Sequence, residues 1–147
     1  MHLDPVAKIL RRKDSLRMAT TGNSEEMRAL AIVITSDVGA VHIVSFLAGE
    51  GGTVSHDLVR RYFSSHMLER THGRNRLVFD LTGVSALDSA ALGPLVQKLR
   101  EVQESNGKLL LTGVQAPALR EIFALTRFDK VFPILPTRAE AIAAAAG

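Results

Sequence analysis

Leu77-Val78-Phe79-Asp80-Leu81-Thr82-Gly83-Val84-Ser85-Ala86-Leu87-Asp88-Ser89-Ala90-Ala91-Leu92 is the stretch on which the fold turns. Its apolar first third reads as a buried strand. Thr82-Gly83 breaks the run, and a helix starts at the end of the stretch. Asp88-Ser89 falls at the junction of loop and helix. Backbone N–H groups point outward there, and the helix dipole favours negative charge. A phosphate added to that hydroxyl would change the local charge by about two units and bring three strong acceptors. The site therefore reads as a switch and not as a catalytic centre.

Working outward, elements alternate on both sides. Ala31-Ile32-Val33-Ile34 and Val41-His42-Ile43-Val44-Ser45-Phe46 are rich in β-branched residues, and Asp37-Val38-Gly39 between them predicts a hairpin. Ala48 to Gly52 is a glycine-rich loop. Thr53 or Ser55 can cap a helix running to about Arg70, with Leu58, Val59, Tyr62, Phe63 and Met67 near one face. Gly73 ends it. Downstream of Arg76–Leu81, the third strand, a helix over 90–105 stops at Asn106-Gly107. Lys108–Leu111 is a strand with apolar residues on both faces, as covered parallel strands have. Ala116–Thr126 is a helix with Pro117 in its first turn. Val131-Phe132-Pro133-Ile134 is expected as a last strand at the sheet edge. Thr137 caps a final helix, with Glu140 in the matching box position. The fold class that follows is α/β: a mostly parallel sheet of about five strands, an opening antiparallel hairpin and about four helices packed against it.

Composition narrows the function. The hydrophobic fraction of 46% places the chain among globular proteins. The net charge of +3 lies wholly in the first 17 residues: Lys8, Arg11, Arg12, Lys13 and Arg17 stand there against Asp4 and Asp14. The remainder is neutral, which argues against a nucleic-acid reader. Residues 1–28 are expected as a flexible basic extension and 29–147 as the domain. Either Met1 or Met18 could be the natural start. No cysteine is present, so disulfides and thiolate chemistry are excluded. No apolar run approaches the ~20 residues of a membrane span, and the N-terminus lacks the apolar core of a signal peptide. A cytoplasmic location is expected. His2, His42, His56, His66 and His72 show no ligand spacing, so neither metal nor cofactor is expected. No carboxylate pair or nucleophile triad stands out, so the chain reads as a non-enzyme.

These segments resemble the STAS domain of bacterial anti-sigma factor antagonists. The resemblance rests on Leu77–Leu81, Val84–Ser89 and Leu92, then Gly107–Leu111, Pro117–Arg120, Phe128–Phe132 and Glu140-Ala141. It covers about four fifths of the chain, from Ala31 onward. It implies a small layered α/β fold and a binding module for transcription regulation. In that family the unphosphorylated antagonist binds an anti-sigma factor that is itself a serine kinase of the GHKL type. Phosphorylation releases it, and a separate serine phosphatase restores it. The acceptor, carried over by position, is Ser89. Asp88, Ala90, Ala91, Leu92, Gly49 and Gly51 are the expected partner-binding residues, with Leu92 as an exposed apolar anchor. A homodimer is allowed.

Departures from the family pattern are specific. A second Ser or Thr and a Gly commonly follow the acceptor; here Ala90 and Ala91 do. Pro94 lies inside a helix that starts at Ser89, or else opens the regular helix itself. Ser89 could be a phosphoacceptor or a small polar residue at a helix start. Asp88 could orient the serine, cap the helix, or do both. Gly49-Glu50-Gly51-Gly52 lacks the Walker and dinucleotide patterns and reads as a strand-to-helix loop. The alternative function is a non-switching STAS subunit of a lipid-transport ABC complex or of a stress-sensing assembly.

Overall fold

The structure is a computed structural model that describes residues 5–6, 8–9 and 24–147. A five-stranded sheet runs in chain order through β1 (Val33–Val38), β2 (Val41–Phe46), β3 (Arg76–Asp80), β4 (Lys108–Thr112) and β5 (Ile134–Leu135). β1 and β2 are antiparallel and every later pair is parallel, as expected. Gly39, at φ +59°, makes the hairpin turn. A two-residue pairing of Pro5–Val6 with Lys8–Ile9 is separate from this sheet.

Alternation along the strands divides the core in two. Val44, Phe46, Leu77, Phe79, Leu109 and Leu111 face one side. α2 (His56–Ser65), α4 (Ser89–Glu104) and α5 (Pro117–Leu125) cover that side. Val41, Ile43, Val78 and Leu110 face the other, under α6 (Arg138–Ala146). Most of the apolar stripe expected on the first long helix is buried: Val59, Tyr62, Phe63 and Met67 are each at most 1% exposed, while Leu58 is only half-buried. Phe46, Tyr62, Phe63 and Phe79 form a chain of edge and tilted ring contacts with centroids 5.3–5.7 Å apart.

Caps fall where the sequence places them. Leu58 N donates to Ser55 Oγ, and Glu140 N donates to Thr137 Oγ1 at 3.1 Å. α4 closes with Asn106 at φ +60° and Gly107 N donating to Val102 O at 2.8 Å, the bond of a left-handed helix cap. Arg76 Nη1 and Lys108 Nζ donate to the carbonyls of Ala145 and Ala144, which satisfies the end of the alanine-rich α6.

Four expectations need correction. Residues 24–31 form a helix, α1, so β1 begins at Val33 and not at Ala31. α1 is held by the buried Ala29 and by Arg61 donating to Glu25 at 2.6 Å. Of the expected basic extension, most lies outside the described residues. The helix expected to reach Arg70 is interrupted at His66 (φ −129°), leaving α2 and a short α3 (Met67–Arg70). Val131–Ile134 is not a continuous strand. A 3-10 turn, Phe128–Lys130, comes first and buries Phe132 against Phe123 and Phe128. Pro133 lacks an N–H, so only its carbonyl joins β4, accepting from Leu111 N at 2.9 Å. With α1 and α3 the helices among the described residues number six, where about four were expected.

Candidate functional site

The loops that follow β2 and β3 meet at the carboxyl ends of those parallel strands, as open α/β sheets dictate. Val54 N donates to Gly83 O at 2.9 Å and joins the two loops. Gly83 sits at φ +85°, and a Cβ there would lie 3.0 Å from Val54 Cγ2 and 3.1 Å from Gly52 O. Close approach therefore requires glycine. Val54, Leu81, Val84 and Leu87 are buried beneath the loops and anchor them.

Asp80, at the end of the central strand, fixes where the loop leaves the sheet. Its Oδ1 accepts from Thr82 N at 3.1 Å and Thr82 Oγ1 at 2.7 Å, and its Oδ2 accepts from Arg138 Nε at 2.9 Å. Burial raises the carboxyl pKa, but the Thr82 and Arg138 bonds outweigh it and hold the group below the usual carboxylate value. Sequence inspection left Asp80 without a role. Its partner Arg138 is 58 residues away, and no local pattern announces that bond.

The β3–α4 loop delivers Ser89 as the first residue of α4. Asp88 is the N-cap, with Oδ1 accepting from Ala91 N at 3.3 Å. Ser89 and Ala90 are exposed. The N–H groups of Ser89 and Ala90 lie in the first turn, where a helix has no internal acceptors. Pro94 is inside α4, its ring nitrogen opposite the Ala90 carbonyl, which consequently receives no helical bond. Of the two readings of Pro94, the helix starting at Ser89 is the one realised.

Two expected partner residues face inward. Ala91 is fully buried and Leu92 is 6% exposed; both pack in the main core, so Leu92 is not a surface anchor. The 3.6-residue period turns positions 91, 92 and 95 toward the sheet. The exposed apolar residue in this region is instead Leu47, at 56%. It lines a groove of about 420 Å³ with Ile32, Ala48, Gly49, Thr53, Val54, Ser55, His56 and Ser85. Gly49 thus borders the β3–α4 loop through Ser85, and Gly51, exposed at φ +77°, lies with Gly49 on the loop between β2 and α2. A leucine directly before a glycine-rich loop was the available signal for this groove.

Among the described residues, no three His, Asp or Glu side chains gather as a metal-holding group. No helix there is long and apolar enough to cross a membrane.

The sequence profile of the STAS domain matches residues 29–141. This chain belongs to the STAS domain family. A candidate anti-sigma factor antagonist, BtrV of Bordetella bronchiseptica, is 31% identical over 72 residues, which span 49% of this chain and 61% of BtrV. The STAS anti-sigma-factor antagonist domain protein of Planctomyces limnophilus has a similar structure, with a TM-score of 0.65 at 25% identity over 78% of this chain and 98% of that one. An anti-sigma factor antagonist of Mycobacterium paratuberculosis gives a TM-score of 0.57 at 26% identity, covering 78% and 93%. A sulfate transporter family protein of Wolinella succinogenes shares the fold, with a TM-score of 0.53 at 14% identity over 76% of this STAS chain and 88% of that one.

Proposed function

We propose that this STAS domain is a partner-switching module of the anti-sigma factor antagonist kind. Unphosphorylated, it binds an anti-sigma factor that is a GHKL-type serine kinase; phosphorylated on Ser89, it lets go, and a serine phosphatase resets it. In the transfer, Ser89 Oγ forms a bond to the γ-phosphorus of the kinase's ATP, the bond to the ADP oxygen breaks, and the hydroxyl proton passes to a base on the kinase. The functional unit is 29–147 together with residues 24–28 of α1, working in the cytoplasm, with the rest of 1–28 as a basic extension. It is a binding module and not an enzyme.

One observation carries the reading. Ser89 stands exposed on the first turn of α4, beside a capping aspartate, in a chain whose relatives include anti-sigma factor antagonists. A phosphoryl group there reaches N–H groups without unravelling the fold. The same charge pressed against a docked partner is opposed by desolvation and repulsion. Leu47 and the groove beside Ser85 offer the partner an apolar foothold.

Titration with a GHKL-type anti-sigma factor kinase from the same organism tests this. Ser89→Asp is expected to weaken the complex by two to three decades, about 3–4 kcal/mol. Full-strength binding by that variant would refute the proposal. A second reading has the sulfate transporter relative's fold behind it: a permanent, non-switching subunit of a transport or stress-sensing assembly. Co-purification with an ABC transporter ATPase in place of a kinase would mark that case.

A further inference from the structure

Beside Ser89, α2 presents a loosely held cation. Arg60 donates through Nη2 to Asp57 Oδ1 at 3.1 Å, and its Nε lies 3.9 Å from Oδ2 of Asp88, the residue before Ser89. Both contacts are exposed, and such pairs hold a guanidinium weakly. Its neighbour Arg61 makes a shorter but likewise exposed pair, donating to Glu25 on α1 at 2.6 Å. Between α2 and the start of α4 lies a polar recess of about 160 Å³, lined by Asp57, Arg60, Arg61, Ser64, Ser65 and Ala90. The recess thus joins the cation to the turn that carries Ser89.

We propose that Arg60 is a built-in holder of phosphoserine at position 89. Once the ester forms, the guanidinium leaves Asp57 and Asp88 for the phosphoryl oxygens and draws them toward α2 over this recess. The inference rests on the phosphorylation reading given above. A dianionic group with three acceptors is a better match for the planar guanidinium fork than either single carboxylate. Asp88 and Asp57 repel the new charge, and Arg60 is the group placed to offset both. The first-turn N–H groups of Ser89 and Ala90 supply further donors, while Ala91 N is already engaged by Asp88 Oδ1. Phosphorylation then does two things to the docking face: it adds negative charge, and it takes up the guanidinium of Arg60, which a docked partner could otherwise meet.

The test uses the full chain with phosphoserine installed at position 89 during translation, so no kinase is needed. Phosphorus NMR titration reads the second ionisation of the ester. With Arg60 in place it should fall below the ordinary value of about 6. Arg60→Gln should raise it by roughly 0.3–0.7 pH unit, and Arg61→Gln, whose guanidinium pairs with Glu25, should raise it by clearly less. Equal values with and without Arg60, or an equal shift from Arg61→Gln, would overturn the proposal. Labelling by the kinase is scored separately. Ser89 labelled without the Arg60 shift sinks the holder alone; the shift without any labelling sinks the switching function and leaves the holder standing.

Discussion

Alanine at Gly113 should damage this protein far more than alanine at Gly73, although both glycines adopt left-handed backbone, at φ +76° and +79°. A side chain in that region costs about 1–2 kcal/mol at either position. At Gly73 nothing else lies within 4 Å of the added carbon, so strain is the whole effect. At Gly113 the added carbon collides with Asp80 Oδ1 and lies 2.5 Å from Thr82 N and 2.6 Å from Thr82 Oγ1. Relief requires separating Thr82 from a carboxylate that is also tied to Arg138. Losing one hydrogen bond to a charged group adds about 1.5–3 kcal/mol. Gly113→Ala is therefore expected to cost about 2.5–5 kcal/mol in total and Gly73→Ala about 1–2. For a chain of this size each kcal/mol lowers Tm by roughly 2–4 °C. Urea unfolding followed by circular dichroism suits a chain without tryptophan. Midpoints should separate at constant slope. Equal midpoints for the two variants would refute the claim that Asp80 and Thr82 form a rigid anchor beneath the loop bearing Ser89.

Two further outcomes test the framework around that loop. Asp80 is held below its ordinary carboxylate value in the folded protein, so it contributes stability above the unfolded-state value of about 3.9. That contribution is lost as pH falls through the lower folded value. Asp80→Asn should therefore unfold more easily than wild type at neutral pH, with the gap closing below about pH 4; a gap that persists in acid would contradict this assignment. Lys98 is buried at 3% exposure, with Nζ donating to Thr71 O at 2.8 Å at the end of α3. Lys98→Met keeps the stem but orphans that carbonyl, and thermal unfolding should show a loss of about 1–3 kcal/mol; an unchanged or raised Tm would remove the cap from the account.

Much of the fold is legible in the chain because local and global signals agree. Leu109-Leu110-Leu111 reads as a strand covered on both faces, and all three are buried. Thr137 with Glu140 reads as a capping box, and Glu140 N does donate to Thr137 Oγ1. The misreadings come where tertiary packing decides. Val131–Ile134 has strand composition, yet burial of Phe132 beside Phe128 turns the chain before it reaches the sheet. At the site, Asp88 as N-cap is visible from residue type and position. Leu92 is misjudged because one residue of helical phase separates an exposed face from the core. Arg60 and Arg138 escape notice for a different reason: their contacts with Asp88 and Asp80 span 28 and 58 residues, and periodicity carries no information at that range.

Identification of the modified residue tests the central claim most directly. The purified chain is incubated with ATP and a GHKL-type serine kinase that binds it, then weighed intact and sequenced as peptides by mass spectrometry. One phosphate, carried by Ser89 and absent from Ser89→Ala, is the expected result. Phosphate on a different residue, or none on a chain that binds the kinase, would contradict the account.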